Sequence, residues 1–198
     1  MKSVVLTVLM CLLLLPLNAQ LGLSAGAGIT ISDLRGQIEV GGDEILSSAF
    51  TSWMIYARPE LGVFEHISVA ADVQIANQGF INKNDGSGQQ LEARRFNFIE
   101  VLPQVEFRPF SFMGVAAGAG VSVRIREADK INGAWVDAKD KLSNSANLTY
   151  FAGARFYPFS NFTFHVTAGL TKLADTGSLT GKSLKAGNIQ IGVGYKIF

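Results

Sequence analysis

The sequence predicts an all-β chain: a closed, eight-stranded antiparallel up-and-down β-barrel that crosses a membrane on its strands. Three observations predict it. Apolar and polar residues alternate with a period of two in eight separate segments. The connections between those segments are alternately short and long. The polar faces of the segments carry charged side chains, which a lumen can hold and a lipid-facing surface cannot.

The composition fits this class. Apolar residues make up 48% of the chain and charged residues 17%, against about 25% charged in a typical soluble domain. High hydrophobicity with 17 cations against 16 anions excludes a disordered chain. The same balance removes the electrostatic case for a nucleic-acid partner. A single cysteine excludes a disulfide scaffold.

Taken in order, the chain opens on an address. Lys2 supplies the positive start, Val4 to Leu15 an apolar run, Pro16 a break, and Ala19 a small residue before the expected cut. Residues 1–19 are therefore expected to be a cleaved secretory leader, and 20–198 a single barrel domain. Cys11 lies inside the apolar run, behind Met10, and so is a leader residue rather than a lipid-anchor site. Beyond residue 20 no run of 18 apolar residues exists, so no helix crosses a membrane.

The eight predicted strands span 21–32, 50–63, 67–77, 95–108, 112–125, 147–157, 162–172 and 186–198. In the third, Ile67, Val69, Ala71, Val73 and Ile75 share one face, with Ser68, Ala70, Asp72 and Gln74 on the other. In the fourth, Ile99, Val101, Pro103, Val105 and Phe107 oppose Phe98, Glu100, Leu102, Gln104, Glu106 and Arg108. In the last, Ile189, Ile191, Val193, Tyr195 and Ile197 oppose Asn188, Gln190, Gly192, Gly194 and Lys196. Each segment reaches the roughly 9–11 residues that a tilted transmembrane strand needs.

The connections 64–66, 109–111 and 158–161 are short, and 33–49, 78–94, 126–146 and 173–185 are long and polar. This predicts short periplasmic turns and four longer extracellular loops. Phe64, Phe107, Phe110, Phe112, Phe156, Phe159, Phe162, Phe164 and Phe198 gather at the turns and the C-terminus, with Tyr157 and Tyr195. They are expected to form an aromatic girdle, with Trp53, Tyr56 and Tyr150 at the other interface.

The charges then face inward. Arg58, Glu60, Asp72, Glu100, Glu106, Arg108, Arg124, Arg155 and Lys196 are predicted to form a polar network in the barrel interior. Five cations meet four anions there, and an eight-stranded barrel leaves room for side chains but for no open channel. Buried charges must pair. Gly22, Ser24, Gly26, Gly28, Gly114, Ala116, Gly118, Gly120, Gly153, Gly169, Gly192 and Gly194 make the space.

The C-terminal run from Gln190 to Phe198 resembles the β-signal read by the outer-membrane assembly machinery. Gly192, Tyr195 and Ile197 match its glycine and hydrophobic positions, and Phe198 ends the chain one step out of phase. The mature chain also resembles the PorT-like small outer-membrane barrels of Bacteroidota. The carriers are Asn18-Ala19-Gln20, Arg58-Pro59-Glu60-Leu61-Gly62 and the last strand. In architecture it is similar to OmpA- and OmpX-type barrels. The resemblance implies a place in the outer membrane of a Gram-negative bacterium. The expected partners are outer-membrane lipid, the assembly machinery through the last strand, and an unidentified extracellular ligand.

The chemistry of an enzyme is not expected. His66 lies in a short turn and His165 faces inward near the turn end, so neither stands beside the long loops as a general base. Asn82 to Gly88 misses the acidic offsets of a calcium loop. Leu23 to Gly28 leads into a strand, not a helix, and so is no phosphate loop. No metal and no cofactor is expected. The expected role is non-enzymatic, structural or surface-interactive, with a small-solute channel as the alternative and, behind it, an envelope enzyme or a secretion-associated barrel.

Overall fold

The computed structural model describes residues 20–35, 38–40, 43–83, 91–138, 146–172, 179–180 and 185–198. The expected leader, 1–19, lies outside them, as does most of the stretch 82–88. Twelve strands are formed among the described residues: β1 (Gln20–Arg35), β2 (Ile38–Val40), β3 (Asp43–Ile45), β4 (Ser47–Phe64), β5 (Ile67–Asn82), β6 (Leu91–Phe110), β7 (Met113–Ile131), β8 (Ala134–Asp137), β9 (Ala146–Phe159), β10 (Phe162–Lys172), β11 (Leu179–Thr180) and β12 (Lys185–Lys196).

Eight of them, β1, β4, β5, β6, β7, β9, β10 and β12, make the barrel. Each pairs antiparallel with the strand before and after it, and β6 pairs with β7 to complete the ring. The first and last strands pair from Ser24↔Lys196 to Arg35↔Lys185. No barrel strand is left with a free edge, which is what a sheet surrounded by hydrocarbon requires.

The burial pattern is inverted relative to a soluble barrel. On β5, Ser68, Asp72 and Gln74 are buried, whereas Val69, Val73 and Ile75 are exposed. On β12, Asn188 and Gln190 are buried, and Ile189, Ile191, Val193 and Tyr195 are exposed. The alternation of the sequence thus sets which atoms meet across the lumen and which meet the surroundings. At the turn end the exposed rings of Phe64, Phe110, Phe112, Phe159, Phe162 and Tyr195 form a belt. Phe110 stacks on Phe112 at 5.4 Å, and Phe162 meets Tyr195 edge-on at 5.3 Å.

Two of the rings assigned to these belts point the other way. Tyr157 turns into the lumen and bonds Glu106, and Tyr56 is buried against His165. Each lies two residues from an inward arginine, Arg155 or Arg58, and so shares its face.

Several strands are longer than the alternation indicates, and most of the excess is at the loop end. β6 begins at Leu91 rather than 95, and β7 runs on to Ile131 rather than 125. Here a bulge intervenes. Asn97 pairs with Arg126 and Phe98 with Arg124, so Ile125 is an extra residue on β7. An extra residue reverses the in–out phase beyond it. Before the bulge even-numbered residues of β7 face in; after it, Glu127 and Asp129 do. Part of the loop end is also paired: β8 extends β7 as a hairpin, and β11, β2 and β3 form a three-stranded sheet.

Candidate functional site

The lumen holds three layers of polar side chains and one apolar layer. At the turn end, Arg58 on β4 is 2% exposed and Glu106 on β6 is fully buried, and the two form an ion pair. Arg58 also lies 3.3 Å from Glu60 and 3.5 Å from Asp72. Arg155 on β9 reaches Asp72 at 2.6 Å and Glu106 at 3.6 Å. Arg108 sits at 2.7 Å from Glu106, pairs with Glu60, and receives Tyr157 as a neighbour at 2.9 Å. Three arginines and three carboxylates therefore close into one network from β4, β5, β6 and β9. Such a set is tolerated in the barrel interior because each charge has more than one partner.

The middle layer centres on Glu100. Gln74 and Gln78 donate to its carboxylate, the latter at 3.2 Å, and Ser122 donates at 2.6 Å. Ser122 in turn meets Thr149 at 2.6 Å, and Thr149 meets Thr171 at 2.9 Å. Glu100 is the one predicted network residue held by neutral donors rather than by an ion pair.

The upper layer joins Arg94, Arg124, Glu127 and Asp129. Arg94 lies 2.9 Å from Glu127 and 2.5 Å from Asp129, and Arg124 lies 3.6 Å from Glu127. Of these, only Arg124 belongs to the interior set expected from the sequence. Glu127 and Asp129 become inward only because of the bulge at Ile125. Around this layer Leu34, Phe80, Phe96, Phe98 and Ala186 pack into an apolar core inside the lumen, and the Arg124 guanidinium lies 5.7 Å from the Phe96 ring.

Lys196 departs from the expectation. It is exposed at the last position of β12 and joins none of these ion pairs. It lines, with Arg58, Glu60, Arg108 and Tyr157, a cavity of about 1070 Å³ at the turn end. The residues read as a β-signal sit at the β1–β12 seam. Gly192 backs onto His165, where a Cβ would lie 2.5 Å from Cε1. Tyr195 faces outward, and Ile197 and Phe198 bond Leu23 through their backbones at 2.7 and 3.0 Å.

No protein-family model matches the chain, and no curated protein sequence matches it. Solved structures do share the architecture. The chain is similar to Neisserial surface protein A, with 13% identity over 91% of this chain and 99% of that one and a TM-score of 0.59. It is similar to Ail, the attachment invasion locus protein of Yersinia pestis, with 14% identity, 89% and 98% coverage and a TM-score of 0.53. The outer membrane protein OprG from Pseudomonas aeruginosa gives 13% identity, 89% and 95% coverage and a TM-score of 0.52. The likeness is one of fold.

Proposed function

We propose that this chain is a small outer-membrane barrel with a structural or surface-interaction role, exercised through the connections at its loop end. The observation that carries the reading is an apolar outer band around a lumen blocked at two levels. The Arg58–Glu106–Arg155–Asp72 network closes it toward the turns, and the Phe80–Phe96–Phe98 core closes it toward the loops. The inverted burial supports the membrane, and the filled lumen argues against free passage of solutes. Two of the similar structures are by name a surface protein and an attachment protein. On this reading the turns are periplasmic, the long connections extracellular, and residues 1–19 are removed on export. The assembly machinery engages the strand that ends at Phe198. Membership of the PorT-like group belongs to the same proposal and rests on Arg58-Pro59-Glu60-Leu61-Gly62 and that strand. Neither His66 in its turn nor His165 against Tyr56 is placed for catalysis at the loop end.

Single-channel recording of the refolded protein in planar bilayers tests the role. The reading expects no stable openings. Uniform, stable openings would favour the second reading, a small-solute channel, for which the turn-end cavity reaching Arg58 is the supporting observation.

A further inference from the structure

The outward cations are unevenly distributed. Among the described residues, those at outward register positions lie at the loop end: Arg35, Arg95, Arg126, Lys130, Lys172 and Lys185. Arg126 is paired with Asp137 at 2.7 Å and Lys130 with Glu92 at 3.1 Å. Arg95 stacks on Trp135 at 4.4 Å. Lys172 and Lys185 are different. They are direct cross-strand partners on β10 and β12, both exposed, with no ion pair among the described residues. Arg35 on β1 occupies the register position on the other side of Lys185. Like charges directly opposite one another destabilise a sheet unless something neutralises them. The nearest acidic register position is Asp33, one outward row below, and it forms no ion pair with either lysine.

The row also sits at a defined height. Below it the outward face of β10 and β12 is apolar, from Leu170 and Ile189 down to Phe162 and Tyr195. Lys185 is ten residues from Tyr195 along β12. At about 3.3 Å per residue and a tilt of about 40°, that is about 25 Å along the barrel axis. This equals the height of the apolar band of outer-membrane barrels, about 25 Å. Lys172 and Lys185 therefore mark the boundary opposite the Phe162–Tyr195 aromatic border. Cross-strand Cβ atoms about 5 Å apart let two ammonium groups converge on one phosphate.

We infer that Lys172 and Lys185 form a docking surface for the phosphate groups of lipids in the leaflet at the loop end, specifically phosphorylated glycolipid. The inference rests on the outer-membrane reading above. Both lysines are exposed and outside the lumen, so the double variant Lys172→Gln/Lys185→Gln keeps every interior contact.

The test reconstitutes wild type and the double variant into phosphatidylcholine vesicles. Flotation with the vesicles and a gel-mobility shift on boiling report membrane insertion. Native mass spectrometry then measures retention of bisphosphorylated lipid A and of its dephosphorylated form. The expected result is that both proteins float and shift. The variant should retain bisphosphorylated lipid A at least tenfold more weakly, with equal, low retention of the dephosphorylated form. Equal retention of bisphosphorylated lipid A by two proteins that both float would overturn the inference and leave the membrane reading standing. Failure of wild type to float would overturn both.

Discussion

Arg155 on β9 donates to Asp72 on β5 at 2.6 Å, although β6 and β7 lie between those strands around the shorter arc of the ring and 83 residues separate the pair in sequence. No local interaction brings these two groups together; closure of the barrel does. Their contact makes the lumen a load shared by opposite walls. Removing one partner from such a set leaves a buried charge uncompensated, which costs about 3–5 kcal/mol.

Arg155→Leu is therefore expected to lower the urea midpoint of the refolded protein by the equivalent of about 3 kcal/mol. It takes from Asp72 its nearer cation, leaving Arg58 at 3.5 Å, and weakens the hold on Glu106, so that three carboxylates share two arginines. Lys83→Gln, an exposed change beyond β5, is expected to stay within about 0.5 kcal/mol. Equal midpoints for the two variants would show that the lumen network contributes nothing to stability.

Glu100 makes a separate prediction, because its partners are donors and not cations. Glu100→Leu strips Gln74, Gln78 and Ser122 of a common acceptor, at about 1–3 kcal/mol for each donor left dry. Glu100→Gln keeps one acceptor oxygen. Thermal unfolding should thus rank wild type above Gln and Gln above Leu. A leucine variant as stable as the glutamine variant would contradict the assigned bonds.

Tyr56 depends on glycines facing it. A Cβ at Gly26 would lie 2.6 Å from the Tyr56 ring, and one at Gly194 would meet its hydroxyl and, at 2.7 Å, Thr163 Oγ1. Gly194→Val is expected to displace the Tyr56–His165 pair and to destabilise the barrel by about 1–3 kcal/mol. The imidazole resonances of His165 report the displacement directly. Unchanged resonances with unchanged stability would refute this packing.

A pH effect is expected at the β7–β8 turn, above the apolar band. Hydrogen bonds from Lys130 and from the Gly133 amide hold the Glu92 carboxyl below the usual range. A carboxyl depressed on folding stabilises at pH above its unfolded value and loses that contribution as pH falls through the folded one. The protection factor of the Gly133 amide should therefore be larger at pH 7 than at pH 3. Equal protection at both would disconnect Glu92 from the turn.

Much of this architecture is legible in the residues. Period-two alternation in Ile67–Ile75 and Ile189–Tyr195 carries the strands and their facing. Arg58, Asp72, Glu106, Arg108 and Arg155 share the polar phase that brings them together. Three things are hidden for physical reasons. The bulge at Ile125 reverses the phase, so Glu127 and Asp129 read as outward when they are not. The strand extension 126–131 carries polar residues on both faces, so pairing there leaves no amphipathic trace. Phe80 and Phe96 are apolar residues on the inner face, against the rule that organises the rest. Tyr157 was recoverable: it shares a phase with Arg155, and its phenol needs a buried partner.

On the membrane reading, apolar faces point to lipid and charged faces to a filled lumen. With Cys11 confined to the expected leader, single cysteines can be placed along β12 of the mature chain for spin labelling in phospholipid vesicles. Oxygen accessibility at 188, 189, 190, 191 and 193 reports this facing residue by residue. High values are expected at 189, 191 and 193 and low values at 188 and 190. Low oxygen accessibility at 189, 191 and 193, with the labels at 188 and 190 the accessible ones, would contradict the membrane reading and make the apolar faces the lining of a cavity.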